Sequence, residues 1–454
     1  MRVMAVLAGS MLMTAGAAVA QTGTCTLRED PQRTVNIANR GTEFETWYIT
    51  NAVLDCDGGR HLVAQNATYS VSAGQVTLTG AVQVEDPERT LTSAFAQYYT
   101  ESRQLHARTN VVLTEKASGS VITSELLDAY EESPQRPEGL VIATGGSPRA
   151  ILYQQEETGA RDSTIMDARE IRIEGESFRG TGDAVLRRDS LTATGQTIDY
   201  SQQTRQLDVM VGARVQLPTQ ELRGDSITAT IDEQDEIRDV LARRGAELHA
   251  EDLDVTAPAI RLLFENGGVS RLVAMPWASD PAVAQPRVVS EQFTMNADSI
   301  DVLAPDQQVT AAVAIGNARG ERFLPDSLRA LLPEAEPEVL ALLGADWMRG
   351  DTVRARFAPN PAAETDTTAA ATVIEQLAAV GDQAQSMYSV RDETDPVARL
   401  SFNYLRSSYI EVNFADGAVS TVYAAGDARG VYLQPADAAR ATTTVGAATP
   451  GRRR

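Results

Sequence analysis

Two segments more than a hundred positions apart read almost alike: VTAAVAIGNARGERF at 309–323 and VSTVYAAGDARGVYL at 419–433. Aligned, they give one order: Val or Ile, two residues, an apolar or small residue, one residue, Ala, one residue, Gly, then Asn or Asp. The order recurs at Ile374, Leu377, Ala379, Gly381 and Asp382. Two looser copies, Ile237-Val240-Ala242-Arg244 and Val269-Leu272-Ala274-Pro276, keep the apolar and Ala positions but lose the glycine. A motif written five times must be a structural unit that buries its apolar face against copies of itself.

Each copy follows a second pattern of three alternating positions. These are Ile227-Ala229-Ile231, Ile260-Leu262-Phe264, Ile300-Val302-Ala304, Val353-Ala355-Phe357 and Ile410-Val412-Phe414. Alternation at period two marks a strand with one buried face. Turn-forming peptides lie between the two patterns: Asp232 to Asp235, Glu265-Asn266-Gly267-Gly268, Pro305 to Gln308, and Asp416-Gly417. Each repeat therefore reads as a β-hairpin. The distance between leading residues is nine or ten, except for 353 to 374, where the Ala/Thr/Pro-rich stretch 359–368 belongs in the hairpin loop.

Fainter copies run upstream. Phe178-x-Gly180-x-Gly182-Asp183, Leu105-x-Ala107-x-Thr109-Asn110 and Val76-x-Leu78-x-Gly80-Ala81 echo the second strand, while Ala96 to Tyr98 and Ile198 to Tyr200 echo the first. The fold class is all-β: repeated antiparallel hairpins stacked one on the next, with a short helical insertion. The glycine and Asn/Asp at a fixed place call for a bulge or bend with positive φ, repeated along the stack.

The insertion is 325–345, PDSLRALLPEAEPEVLALLGA, read as two short helices whose leucines cap the sheet. Residues 436–454 lack apolar periodicity, end in three arginines and read as a disordered tail. At the other end, residues 1–20 combine Arg2, a short apolar run and the ending Ala18-Val19-Ala20, the pattern of a secretory signal peptide. Its removal leaves 39 basic and 62 acidic residues, a net charge of −23, which disfavours nucleic acid as a partner. The only cysteines, Cys25 and Cys56, lie in the 21–59 segment of an exported chain and are expected to pair. Closing that loop is worth about 3.5 kcal/mol in chain entropy. A lipid anchor at Cys25 is the rival, though Thr22-Gly23-Thr24 precedes it instead of the usual Leu-x-small approach.

Catalytic constellations are missing. His61, His106 and His249 are far apart and read as surface or strand-pairing residues, and Lys116 is the sole lysine. No nucleophile elbow, phosphate loop, HExxH or clustered cysteine pair is present. Asp225, Asp298 and Asp351 recur just ahead of the first strand, which suits a turn-forming role because an active site is needed only once. The expectation is a non-enzyme with no cofactor and no metal.

An exported chain of hairpins with Asp-[Ser/Thr]-[Ile/Val] opening one strand, apolar-x-Ala-x-Gly-[Asn/Asp] closing the next, and Tyr98 and Tyr200 at strand ends resembles the OstA-like family. That family includes the periplasmic bridge proteins of lipopolysaccharide transport and the N-terminal domain of the outer-membrane translocon. The resemblance covers 60–324 well and 346–435 more loosely. It implies an elongated β-jelly roll, one long or two in tandem, whose two facing sheets hold acyl chains in an apolar groove, sheet edges that pair with other jelly-roll transport proteins, and a periplasmic location. Ile227, Ile231, Ile260, Leu262, Phe264, Ile300, Val302, Ile410, Val412 and Phe414 would line the groove. The competing reading is a non-catalytic β-repeat scaffold in which those faces close on each other as a dry core. The chain is longer than a single bridge module, is strongly acidic, and lacks the long alternating strands of the translocon's barrel.

Overall fold

The computed structural model of the protein describes residues 25–434 apart from 30, 135, 156–160, 189, 202, 233–235, 251–252, 278–284, 325, 333–342, 365–370, 392–398 and 416–417. The expected signal peptide, the 436–454 tail, the second half of the helical insertion and the Asp416-Gly417 turn lie outside the described residues. The chain divides into two compact units, Met1–Ala250 and Glu251–Arg454. Both are built from antiparallel strands.

All five expected hairpins are present in the register that the repeat implies. Ile227 faces Ala242, Ile260 faces Ala274, Ile300 faces Ala314, Val353 faces Ala379 and Ile410 faces Ala424. Between the paired strands Ala345–Pro359 and Thr372–Val390, Pro361–Glu364 makes a turn of 3-10 helix, and residues 365–368 of the expected loop lie outside the described residues. The hairpins are not separate blocks, because successive strands pair on both sides. In the first unit, Thr46–Cys56, Arg60–Ser70, Gln75–Glu85, Arg89–Tyr99, Gln104–Glu115 and Val121–Tyr130 form a meander.

A long strand here is two half-strands in series. Val121–Tyr130 gives one half to Leu140–Thr144 and the other to Arg149–Gln155. Ser177–Arg188 likewise takes Glu170–Glu174 on one half and Arg161–Asp167 on the other. In the second unit, Ala311–Phe323 pairs with both Phe293–Asn296 and Ser299–Leu303, and Ser401–Ala415 with both Ala418–Ala425 and Arg429–Leu433.

The joint between halves is the bulge that the repeated glycine announces. Consecutive left-handed residues occur at Gly80-Ala81, Thr109-Asn110, Gly182-Asp183, Val211-Gly212, Arg244-Gly245 and Gly316-Asn317. Pairing shifts at each of these places. Two residues there oppose fewer on a neighbouring strand, so the strand bends and twists. The recurrent aspartates serve this joint and not a turn: Asp225 and Asp351 stand inside Gln220–Ile231 and Ala345–Pro359, opposite Val211-Gly212 and Gly316-Asn317. Asp298 lies just ahead of Ser299–Leu303, where its N–H donates to the Gly316 carbonyl at 2.8 Å.

The joint also resets the side-chain phase. A strand carrying the left-handed pair keeps its inward positions in step, as at Val76, Leu78, Val82 and Val84. Its partner must skip one, as at Leu91 and Ser93 followed by Ala96 and Tyr98, or Leu222 followed by Ile227 and Ala229. Outer faces carry cross-strand ion pairs, among them Arg149–Asp167–Arg187 and Arg271–Asp301.

The described part of the insertion includes a one-turn helix, Asp326–Arg329. As expected of a cap, its leucines bury sheet surface: Leu324 and Leu328, with Leu331, Leu332 and Leu343, pack on Met387, Leu400, Phe402 and Trp347. Covered there on its outer side, the strand Thr372–Val390 is buried on both faces from Ala384 to Ser389.

Candidate functional site

Two inward rows cross the second unit beside the bulges. One runs Ile260, Ala274, Ile300, Ala314, Val353, Ala379, Ile410, Ala424, each facing the next. The other runs Leu262, Leu272, Val302, Ala312, Ala355, Leu377, Val412, Val422. The repeated Ala is the small member of a bulky/small alternation, which lets facing layers interdigitate. Burying each Ile, Leu or Val contributes about 1.5–3 kcal/mol. Ile227 belongs to the corresponding row of the first unit, which continues through Val209 to Ile198.

Nine of the ten expected groove residues are buried; Ile260, Ile300 and Ile410 are 0% exposed. Phe264, beside the Asn266-Gly267 turn, is only half-buried. Seven of the nine lie in the second unit, while Ile227 and Ile231 lie in the first.

The inward rows are buried because the two halves of each roll meet along a seam. In the first unit Arg60 stands at the end of its strand, one residue before His61, which is level with Glu85 and Thr90, and Tyr98 lies eight residues beyond Thr90. On a flat sheet that is roughly 26 Å. Yet Arg60 Nη1 donates to the Tyr98 hydroxyl at 2.7 Å, its guanidinium covers the Tyr98 ring, and Nη2 pairs with Glu131. Asp86 is 3.8 Å from Arg60 Nη2, and Arg103 holds the other Glu131 oxygen at 3.6 Å. Further along, Leu152, Phe178, Tyr200 and Ile231 close the seam as an apolar cluster. At the N-terminal end, the backbone of Cys25 hydrogen-bonds Tyr69, whose phenol pKa is raised mainly by burial. Cys25 is tied there by its disulfide to Cys56.

The second unit has its own closure. Arg322 faces Asp346, with Nη2 to Oδ2 at 2.6 Å, and its guanidinium lies 4.1 Å from the Phe414 ring. The Ser389 N–H donates to the other Asp346 oxygen at 2.6 Å. Phe293 meets Phe357 with ring centres 5.2 Å apart. Arg60, Arg322 and Asp346 were missed in the sequence because they are charged. Their signal is phase: Arg60 stands two before Leu62, Arg322 two after Gly320, and Asp346 two before Met348 on inward positions.

A cleft of about 360 Å³ opens in the first unit at the Arg60 segment of the seam. Its floor is apolar, with Val84, Leu91, Leu105 and Leu113; its rim is charged, with Arg60, Asp86, Glu88, Arg103 and Glu131. This rim holds both signs in a small space, and the floor is the inward face of the roll.

The histidines are strand-pairing residues, as expected. His61 faces and bonds Asp55, His106 faces and bonds Asp128, and His249 lies 3.8 Å from Glu247. The bond from His61, helped by Arg28, lowers the Asp55 carboxyl below its ordinary value. Among the described residues, no group of three or more His, Cys, Asp or Glu could hold a metal ion, and no helix is long and apolar enough to cross a membrane.

No protein-family profile matches this chain, and no curated protein sequence does. Fifteen chains of solved structures match. One is LptH of Pseudomonas aeruginosa, described as the LptA-homologous periplasmic component of the lipopolysaccharide transport device, at 16% identity and a TM-score of 0.13. The match covers 41% of this chain and 82% of LptH.

Proposed function

We propose that the protein is a periplasmic lipid-binding module of lipopolysaccharide transport or outer-membrane biogenesis, holding acyl chains between the two halves of its rolled sheet. The observation that carries this reading is the unbroken apolar row beside the bulges, contributed by strand after strand. Inward rows that stay apolar from strand to strand beneath a charged exterior suit a long, flexible, apolar ligand better than a compact polar one. Partner modules would add at the sheet ends. Thr34–Ala38 and Cys25–Leu27 pair only with Thr46–Cys56 among the described strands, and the terminal strand Arg429–Leu433 exposes Val431, Tyr432 and Leu433. Uncovered edges of this kind favour strand addition.

The burial of the inward rows favours a second reading, a scaffold with a dry core. Native mass spectrometry of the mature protein purified from its own envelope, with extraction of any adduct, separates the two. A co-purifying lipopolysaccharide or other acylated lipid is the expected result. A clean apo mass, with no uptake when lipid A is added, leaves the scaffold. Phe414→Gln and Phe264→Gln add a second criterion: lipid binding predicts lost capture with the fold intact, and a dry core predicts unfolding for Phe414→Gln.

A further inference from the structure

We propose that the Arg60 segment of the seam is a latch over a lateral port, through which an acyl chain reaches the interior of the first unit. Elsewhere the described seam of this unit is closed by the Leu152–Phe178–Tyr200–Ile231 cluster or by the buried contact of the Cys25 backbone with Tyr69, where the disulfide to Cys56 anchors the Cys25–Leu27 strand to its neighbour. Opening an apolar cluster exposes hydrocarbon to water, and Cys25 and Tyr69 are buried, at 7% and 5% exposure, so parting them uncovers core surface. At Arg60 the two halves are instead joined by a cation that binds Tyr98 and Glu131 together, with Asp86 close by.

Both sides of this joint keep partners when it parts. Glu131 retains Arg103, and Asp86 retains the backbone N–H groups of Glu88 and Arg89 at 2.8 and 2.6 Å. Arg60 retains one acidic neighbour, Asp86, on its own side. Glu131 and Asp86 are partly exposed, at 33% and 25%, so water takes up the bonds that are lost. Directly beneath lie Val84, Leu91, Leu105 and Leu113, the floor of the cleft and the apolar surface that an acyl chain would meet first. The closure of the second unit differs at its acid: Asp346 is 3% exposed where Glu131 and Asp86 are 33% and 25%, while the arginines are alike, Arg322 at 8% and Arg60 at 12%.

That an acyl chain is what passes rests on the lipid-binding reading; that the seam opens at Arg60 does not. The test therefore reads the port without lipid first. Val84→Cys puts a near-isosteric thiol on the floor, and Ala193→Cys puts one at a fully buried position away from the cleft. Each is followed by mass spectrometry during reaction with a small maleimide, with the Cys25–Cys56 disulfide kept oxidised. Arg60→Ala should speed labelling at position 84 by about tenfold or more, a shift of about 1.4 kcal/mol in the opening equilibrium, and leave position 193 unchanged. Arg60→Lys should fall between, and Arg179→Ala, which removes an outer-face pair with Asp199, should do nothing. No change at position 84 overturns the latch. An equal rise at both positions also overturns it, since that is global unfolding. The lipid arm adds lipid A to the protein without engineered cysteines: faster uptake by Arg60→Ala supports both readings. A faster-labelled position 84 with no uptake by any variant keeps the latch and removes the lipid.

Discussion

Asp346→Ala should be among the costliest single changes in the second unit. Asp346 shares its two oxygens between the Arg322 guanidinium and the Ser389 amide, each at 2.6 Å, and its side chain is 3% exposed. Alanine removes the carboxylate from a buried cation that Phe414 roofs on one side, at 4.1 Å. Breaking one partner out of a buried ion pair costs about 3–5 kcal/mol, and a buried amide left without an acceptor adds about 1–3 kcal/mol. These overlap, so about 4 kcal/mol is expected. Urea unfolding followed by fluorescence of Trp277 and Trp347, in a Trp47→Phe background that silences the first unit, reads this as a midpoint lowered by about 1.5–2 M. Replacing both partners, Arg322→Met with Asp346→Leu, should restore most of the loss, because the desolvation penalty goes with the charges. A loss below about 1 kcal/mol for Asp346→Ala, or a double variant as unstable as the single one, would refute the reasoning.

The bulge predicts a contrast between glycines. Gly316→Ala and Gly212→Ala both force a left-handed side chain, but a Cβ on Gly316 also meets Asp298 while one on Gly212 meets open space. Thermal unfolding should show a cost of about 1 kcal/mol at 212 and about 2–3 kcal/mol at 316. Cys25→Ser with Cys56→Ser removes a link spanning 31 residues and should cost about 3.5 kcal/mol by urea titration, chiefly in the first unit. The Arg149 hydrogen bond, with Arg187 behind it, holds the Asp167 carboxyl below its ordinary value. A depressed carboxylate stabilises the fold above its unfolded pKa, about 3.9, and that contribution is lost as pH falls through the lower folded value. Asp167→Asn should therefore lower the urea midpoint at pH 7 and make little difference at pH 2.

The hairpin register was legible wherever the repeat keeps both its bulky and its Ala position. Val353 facing Ala379 could be read even across an enlarged loop, because the partner pattern survives on either side of it. The long strands could not, since a period-two search loses phase at the bulge: Leu222 falls out of step with Ile227, and Leu91 with Ala96. The same break moved Asp225 and Asp351 from expected turns to positions opposite a bulge. The seam was invisible for a different reason. Arg60 meets Tyr98, and Arg322 meets Phe414, only after the sheet rolls, so no local pattern pairs them. An arginine in phase with an apolar strand face is the trace such a contact leaves, and it is ambiguous until the opposite half is placed.

The phase rule has a consequence for how such a chain can change length. A strand that carries a left-handed pair keeps its inward face in step, and its neighbour has to skip. Inserting one strand would set two strands of the same kind side by side, with half of the newcomer's alanines and leucines facing water. Two strands restore the alternation. Growth and loss along this architecture are thus restricted to even numbers of strands, and the two similarly patterned stretches at 309–323 and 419–433 are what a ladder extended by whole hairpins would leave behind.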